Sequence, residues 1–326
     1  MFLNRFFLFL ALILFLGASG ALAADRASEK VTFVGALNIS LAAIVATEKG
    51  FFAQEGLDVD FQITQTGKLA MEAVLSGRAD FGSIVGTNAA YAGFVTPDLR
   101  IIASNGVTLD DAVVFPAHSS IQTAKDLKGK KIGLALSTSA QDFLIHLLAQ
   151  NGLSWHDITP VSLQPPTMRA ALQGEQVDAV AIWQPWRTGI RKGLEGGTRE
   201  IENSAAIYPR QTFTASSAPY LAKHPNVAPK ILRGLIAGEA FVNAHPEETA
   251  QIVAKKSGLD LDAIRATIAP VSIGLNHAMV TLISDYASWV VVHQEDFQGK
   301  TLPDYRPNIA ASYLKAVAPE RVEKGM

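Results

Sequence analysis

The stretch Asp126-Leu-Lys-Gly-Lys-Lys-Ile-Gly-Leu-Ala-Leu-Ser-Thr-Ser-Ala-Gln-Asp142 predicts a buried strand that ends in a hydroxyl-rich turn at the start of a helix. Residues 132–136 are nearly all apolar, as is typical of a parallel strand covered on both faces. Apolar residues then recur at helical spacing from Phe143, so we expect one hydroxyl of residues 137–139 to cap the helix. Because free N–H groups at a helix start attract anions, the turn is either a plain cap or one edge of a binding site.

Composition sets limits on the class of protein. The chain has 326 residues, 48% of them hydrophobic and 18% charged, which indicates an ordered globular protein of about two domains. The net charge of −2 is too balanced for a nucleic-acid or membrane-surface binder. The chain contains no Cys, which excludes disulfides, thiol nucleophiles, thiolate metal sites and a lipoprotein anchor.

The N-terminus has the pattern of a cleaved signal peptide. Arg5 supplies a basic region, residues 6–16 are apolar, and Ala21-Leu-Ala23 has the small-x-small form of a signal-peptidase site. A membrane anchor is the alternative, but the small residues after position 16 interrupt the apolar run well short of a spanning length. We therefore predict a signal peptide at residues 1–23 and a soluble periplasmic protein that starts near Ala24.

Strands and helices alternate along most of the chain, and the pattern occurs twice. It begins at Val31 and restarts after Pro116. The two halves share a phrase, Leu75-Ser-Gly-Arg-Ala-Asp80-Phe-Gly and Leu172-Gln-Gly-Glu-Gln-Val-Asp178-Ala-Val, in which a helix ends at Gly and a strand starts just after Asp. This predicts an α/β fold of two similar lobes, each a mixed sheet flanked by helices.

The lobes are predicted to be joined by a two-segment hinge over a cleft. The predicted crossings lie near residues 113–116 and 213–217. The predicted division is lobe 1, residues 24–115 plus 216–326, and lobe 2, residues 116–215.

The candidate site residues stand where strands end, because ligands of α/β sheets bind beyond the carboxyl ends of the strands. They are hydroxyls, amides, one glycine and one indole, without a general base beside a nucleophile, so they favour ligand recognition and no enzyme activity. No catalytic or metal-binding motif accompanies them, and neither a cofactor nor a metal is expected. The candidates are Asn38, Thr66, Gly67, Thr87, Asn88, Ser137, Thr138, Ser139, Trp183 and Gln184.

Other charged or aromatic residues admit two interpretations each. Asp142 and His146 have the spacing of a metal pair but lack a third ligand, which favours a surface pair. The pair Asp110-Asp111 either binds an ammonium group of the ligand or lies in a solvated loop. Arg169 and Arg187 are candidate cationic clamps or helix-surface residues, and Trp186, like Trp183, either walls the cleft or belongs to the core.

The order of several phrases resembles the substrate-binding proteins of ABC importers for aliphatic sulfonates, taurine and nitrate, in the SsuA/TauA-like and NMT1/THI5-like group. The resemblance covers nearly all of the mature chain. It is carried by Glu48-Lys-Gly-Phe-Phe-Ala-Gln-Glu-Gly-Leu-Asp58-Val, Leu75-Ser-Gly-Arg-Ala-Asp80-Phe-Gly, Lys125-Asp-Leu-Lys-Gly-Lys-Lys-Ile-Gly133, Ala171-Leu-Gln-Gly-Glu-Gln-Val-Asp178-Ala, His224-Pro-Asn-Val-Ala-Pro-Lys230 and His245-Pro-Glu-Glu-Thr-Ala250.

The resemblance implies a type II periplasmic binding fold that closes on a small-molecule ligand and delivers it, as a monomer, to an ABC permease and its ATPase in the inner membrane. An aliphatic sulfonate or a taurine-like anion is the first expectation for the ligand. Alternatives are nitrate, a pyrimidine or other heterocyclic precursor stacked between Trp183 and Tyr208, a secreted enzyme on the same scaffold, and a module that serves a sensor. The Cys-rich motif of THI5-type enzymes is absent, which excludes pyrimidine synthesis by that route.

Overall fold

The computed structural model describes residues 28–293 and 297–326. The predicted signal peptide, residues 1–23, lies outside them. The strands of the described chain are β1 (Glu29–Gly35), β2 (Leu57–Ile63), β3 (Phe81–Val85), β4 (Leu99–Thr108), β5 (Ala112–Pro116), β6 (Lys131–Leu134), β7 (Thr159–Ser162), β8 (Ala179–Ile182), β9 (Thr198–Glu202) and β10 (Arg210–Ser217). Its α-helices are α1 (Leu41–Glu48), α2 (Phe51–Gln54), α3 (Gly67–Leu75), α4 (Gly86–Val95), α5 (Ser139–Gln150), α6 (Met168–Gln173), α7 (Trp186–Gly193), α8 (Ala218–Lys223), α9 (Val227–Ala244), α10 (Pro246–Ser257), α11 (Leu261–Arg265), α12 (Ala278–His293) and α13 (Ala311–Val317).

The strands form two five-stranded sheets with the same internal pattern. The first sheet has the order β2-β1-β3-β10-β4 and the second β7-β6-β8-β5-β9. In each sheet the first three strands are parallel, and the fourth, β10 or β5, runs antiparallel to both of its neighbours. The predicted α/β fold with two similar mixed sheets is confirmed.

The chain passes from one sheet to the other at two short connections. It leaves the first sheet after Thr108 and enters the second at Ala112, then leaves the second after Glu202 and returns at Arg210. The segments expected to cross, residues 113–116 and 213–217, instead lie within β5 and β10, each of which pairs on both sides. The division into two lobes stays a prediction, and we propose that its boundaries fall at these two connections.

The core of the first sheet is aromatic at its centre. Phe33 on β1 stacks on Phe61 of β2 and Phe81 of β3, with ring centroids 5.7 and 6.2 Å apart. Every residue of β3 is buried, as expected of a central strand covered by helices on both faces.

Helix α9 packs across α1 at Gly238, where a Cβ atom would lie 2.3 Å from the carbonyl oxygen of Ala42. The absence of a side chain at this position therefore allows the two helix backbones to approach closely.

This helix contact predicts a destabilising effect of Gly238→Ala. The added methyl group meets backbone that cannot move aside, so we expect a loss of about 1–3 kcal/mol in the free energy of unfolding. The matched control is Gly189→Ala in α7, where a Cβ atom meets nothing within 4 Å. That change should be neutral or stabilising by about 0.5–1 kcal/mol. Urea unfolding compares the two variants, and equal effects would contradict a tight contact between α1 and α9.

Candidate ligand-binding site

A small cavity, called here the inner cavity, lies where the two sheets face each other. Its volume is about 20 Å³, which leaves room for about one water molecule. Seven of the ten predicted site residues line it. Its full lining is Ala36, Asn38, Ile39, Thr66, Gly67, Lys68, Val85, Asn88, Thr138, Ser139, Trp183 and Arg210.

Two helices begin at the inner cavity, one from each half of the molecule. Helix α3 starts after Thr66, whose Oγ1 accepts a hydrogen bond of 3.1 Å from the amide of Leu69. The amides of Gly67 and Lys68 then have no acceptor in the described chain. Helix α5 starts with Ser139 at the opposite wall, and its first two amides likewise donate to no described residue. Both positive helix ends therefore face this cavity with free N–H groups.

The turn before α5 differs from the prediction that one of its hydroxyls caps the helix. Thr138 occupies the cap position, but its Oγ1 donates instead to the carbonyl oxygen of Ala135, 2.7 Å away. The reason is the backbone of Ser137, whose φ of 59° turns the chain back on the end of β6. Gln141 Oε1 accepts from the Ser137 amide at 2.7 Å, so the turn is held from within the helix.

Three predicted site residues, Thr87, Ser137 and Gln184, do not line the inner cavity. Thr87 Oγ1 donates to Asp142 and lies 3.0 Å from the hydroxyl of Tyr208. Gln184 Oε1 accepts from the amide and hydroxyl of Thr188 at 3.1 and 2.9 Å. The side chains of Thr87 and Gln184 therefore form hydrogen bonds with other parts of the protein, and the Ser137 amide donates within the turn before α5.

Arg210, which the sequence analysis missed, is the most buried cation at the site, at 1% exposure. Its Nη1 donates to Asp111 Oδ1 and Oδ2 at 3.1 and 3.0 Å and lies 3.2 Å from Ser139 Oγ, while Nη2 donates to Asp110. Arg210 begins β10, whereas the aspartates lie on the outgoing connection. The Arg210 side chain thus links the start of β10, where the chain returns to the first sheet, to the connection by which the chain left that sheet.

These ion pairs bear on the two interpretations of Asp110 and Asp111, a pair that binds a ligand ammonium group or a solvated loop. Asp111 is completely buried, so a solvated loop is wrong for it. Burial raises the pKa of Asp111, and the Arg210 guanidinium opposes that rise. Asp110 Oδ2 accepts from Asn38 Nδ2 at 2.8 Å and from the Gln184 amide at 3.3 Å, so both of its oxygens have protein donors.

Among the remaining cations, Lys68 faces the site. It is half-buried, lines the inner cavity and makes no ion pair with any described residue. Arg187 is buried and ion-paired with Glu200 and Glu202, so it is not a ligand clamp in this structure. Arg169 is exposed and lies against α7. Lys68 therefore places a positive charge at the inner cavity that pairs with no carboxylate of the described residues.

A larger cavity, called here the outer cavity, adjoins the inner one and opens toward the surface. Its volume is about 250 Å³, and Ala36, Asn38 and Trp183 line both cavities. Trp183 and Trp186 both form its wall. The full lining is Ala36, Leu37, Asn38, Ile63, Thr64, Gln65, Trp183, Pro185, Trp186, Ser257 and Leu259. Ion pairs beside this cavity link α7 to the start of α11. Asp260 and Asp262, which follow Leu259 in the chain, accept hydrogen bonds from Lys192 Nζ of α7 at 2.6 and 2.8 Å.

Asp142, expected at the surface with His146, is buried instead. The carboxylate accepts from Thr87, and His146 Nδ1 lies 2.7 Å from the Asp142 backbone oxygen, so the two side chains form no acid–base pair. Burial raises the pKa of Asp142 to about 7, the nearby Asp111 adds to this rise, and the Thr87 hydrogen bond opposes it. Asp142 is not at the surface because the face of α5 that carries it packs toward α4.

The chain resembles known proteins in sequence and in fold. A family model described as NMT1/THI5 like matches residues 39–249, more than half of the chain. The chain belongs to the NMT1/THI5-like family. This NMT1/THI5-like protein is 29% identical over 268 residues to a binding protein of Brucella abortus, covering 80% of this chain and 82% of the relative.

Two solved structures match most of its fold. The alkanesulfonate-binding protein SsuA of Xanthomonas axonopodis pv. citri, bound to MOPS, has a TM-score of 0.76 at 23% identity and covers 86% of this chain and 97% of that one. The periplasmic aliphatic sulphonate binding protein SsuA of Escherichia coli has a TM-score of 0.75 at 23% identity and covers 88% and 98%.

The relative and the two solved structures named here are described as binding proteins. In the described ranges no helix is long and apolar enough to cross a membrane.

The burial of Asp142 predicts a pH-dependent stability that Asp142→Asn removes. A carboxyl with a raised folded-state pKa favours folding while it is protonated, and this stabilisation is lost as pH rises through about 7. Between about pH 5 and about pH 8.5 the wild type should lose about 2–3 kcal/mol of unfolding free energy that the Asn variant retains. Urea unfolding of both proteins at the two pH values measures this difference. Parallel pH profiles would show that the carboxyl of Asp142 titrates normally.

Proposed function

We propose that this protein captures a small organic anion, foremost an aliphatic sulfonate, in the inner cavity and delivers it to a membrane permease. The observation that carries the proposal is the meeting of two open helix starts, α3 and α5, with the unpaired Lys68 at one cavity. Free amides at a helix start bind anionic oxygens, and the helix dipole adds to the attraction. The other proposed contacts are Asn38, Thr66, Asn88, Thr138, Ser139 and Trp183.

The charges of the wall favour a singly charged anion. Arg210 is paired with two carboxylates, Asp110 and Asp111, so this cluster supplies no positive charge to a ligand. Lys68 and the two helix ends then supply one full charge and several N–H donors. A sulfonate has one charge and three acceptor oxygens, which suits this combination of partners.

The same contacts fit the other candidate ligands less well than a sulfonate. The ammonium group of taurine would need an acceptor, and Asp110 already accepts from three protein donors. Nitrate suits the inner cavity but leaves the outer cavity unfilled. A heterocycle stacked between Trp183 and Tyr208 is disfavoured because Tyr208 is buried against Thr87 and lines neither cavity.

Capture requires the two halves of the molecule to separate first. The inner cavity has room for only about one water molecule in this structure, so a sulfonate enters only when α3 and α5 move apart. The two short connections are the proposed hinge, and closure around the anion gives the form that docks on the permease. We further propose that the protein acts in the periplasm as a monomer.

Thermal unfolding of the mature protein, refolded to remove carried ligand, tests the proposal with methanesulfonate, taurine and nitrate. A ligand that binds only the native state at a thousandfold excess over its Kd stabilises by about 4 kcal/mol, which gives a clear rise in Tm. Lys68→Met should weaken methanesulfonate binding about tenfold, because it removes the unpaired charge.

The matched control is Lys223→Met, an exposed lysine that lines neither cavity and should leave binding unchanged. Stabilisation by methanesulfonate that Lys68→Met does not weaken would contradict the proposed anion site. Stabilisation by none of the three compounds would contradict the proposed class of ligand.

A further inference from the structure

The outer cavity differs in chemistry from the inner one. None of the residues that line it carries a formal charge. Its walls are mainly apolar, with Leu37, Ile63 and Leu259 on one side and Trp183 and Trp186 on the other. Ile63 and Leu259 are 41% and 37% exposed, so they present apolar surface toward this opening. A second charged group of a ligand would find no partner here, whereas apolar atoms would be removed from water.

The size of the outer cavity decides what it can hold. An apolar cavity of about 150 Å³ is large enough to bind benzene. At about 250 Å³ the outer cavity therefore has room for an aromatic ring with substituents, or for an alkyl chain of comparable volume. A methyl group would leave most of that space to water.

The two cavities are continuous at one place. Ala36, Asn38 and Trp183 belong to both linings, so a molecule whose charged end lies between α3 and α5 passes these residues to reach the outer cavity. The indole of Trp183 is 4% exposed and offers an apolar surface at this passage.

We propose that the outer cavity binds the apolar part of the ligand whose anionic end occupies the inner cavity, so that the substrates are sulfonates with an aromatic ring or a medium-length alkyl chain. The proposal rests on the proposed function, since it uses the same anion site. The apolar group contacts residues on both sides of the opening, Ile63 and Leu259 on one and Trp186 on the other. Filling the cavity therefore stabilises the closed form as well as the complex.

A homologous series of ligands tests the proposal by calorimetry on the mature protein. Methanesulfonate, hexanesulfonate and benzenesulfonate share one head group and differ in apolar surface. Burial of the ring or chain should make the two larger sulfonates bind about tenfold to hundredfold more tightly than methanesulfonate. Neutral benzenesulfonamide should bind more weakly than benzenesulfonate, because it lacks the charge.

A double variant, Ile63→Ser with Leu259→Ser, locates the effect. Both side chains are partly exposed, so the fold should tolerate the change, and the variant should bind methanesulfonate like the wild type while losing most of the gain for benzenesulfonate. The control is Val95→Ser, an exposed apolar residue at the end of α4 that lines neither cavity and should change nothing.

The outcomes separate the two proposals. Equal affinities across the three sulfonates overturn the role of the outer cavity and leave the anion site standing. A size preference that the double variant retains also overturns it, because the apolar group then binds elsewhere. If no sulfonate binds, or if benzenesulfonamide equals benzenesulfonate, the anion site itself is wrong.

Discussion

The buried ion pairs of Arg210 with Asp110 and Asp111 are the constraint on which the rest of the structure depends. The Arg210 guanidinium and the Asp111 carboxylate are buried at the connections between the sheets, and the half-buried Asp110 pairs with the same guanidinium. Removing one partner of such a group leaves an uncompensated buried charge, at a cost of about 3–5 kcal/mol. The same cluster binds Ser139 and Asn38, so the positions of both cavity walls are set by the charges at the proposed hinge.

The opposed starts of α3 and α5 give a physical reason for the proposed coupling between anion binding and closure. Each helix end carries a partial positive charge, and Lys68 adds a full one. In the proposed function an anion between these helix starts is attracted from both sides, so its affinity is higher for the closed arrangement. Such a difference in affinity is what shifts a population of conformers.

The fold was predictable from the sequence where apolar periodicity and helix ends were clear, and the shared phrases of the two halves correctly indicated two sheets of one pattern. The site was predicted in outline because strand ends of an α/β sheet converge. Arg210 was missed because β10 was expected to start three residues later, which left this residue in a loop. The burial of Asp142 and the hydrogen bond of Thr138 to Ala135 depend on contacts and backbone angles that local residue patterns do not specify.

The placement of β10 also determines when the protein becomes competent to bind. Residues 112–202 contain all five strands of the second sheet in one continuous segment, so this half can form as soon as it has been made. In the first sheet β3 and β4 are not neighbours, and each pairs with β10, which comes about a hundred residues after β4. Formation of β10 brings Arg210 to its aspartates in the same step. Pairing of β10 therefore completes the first sheet and assembles the Arg210 cluster in one step, and a chain in which β10 is unpaired lacks this part of the cavity wall.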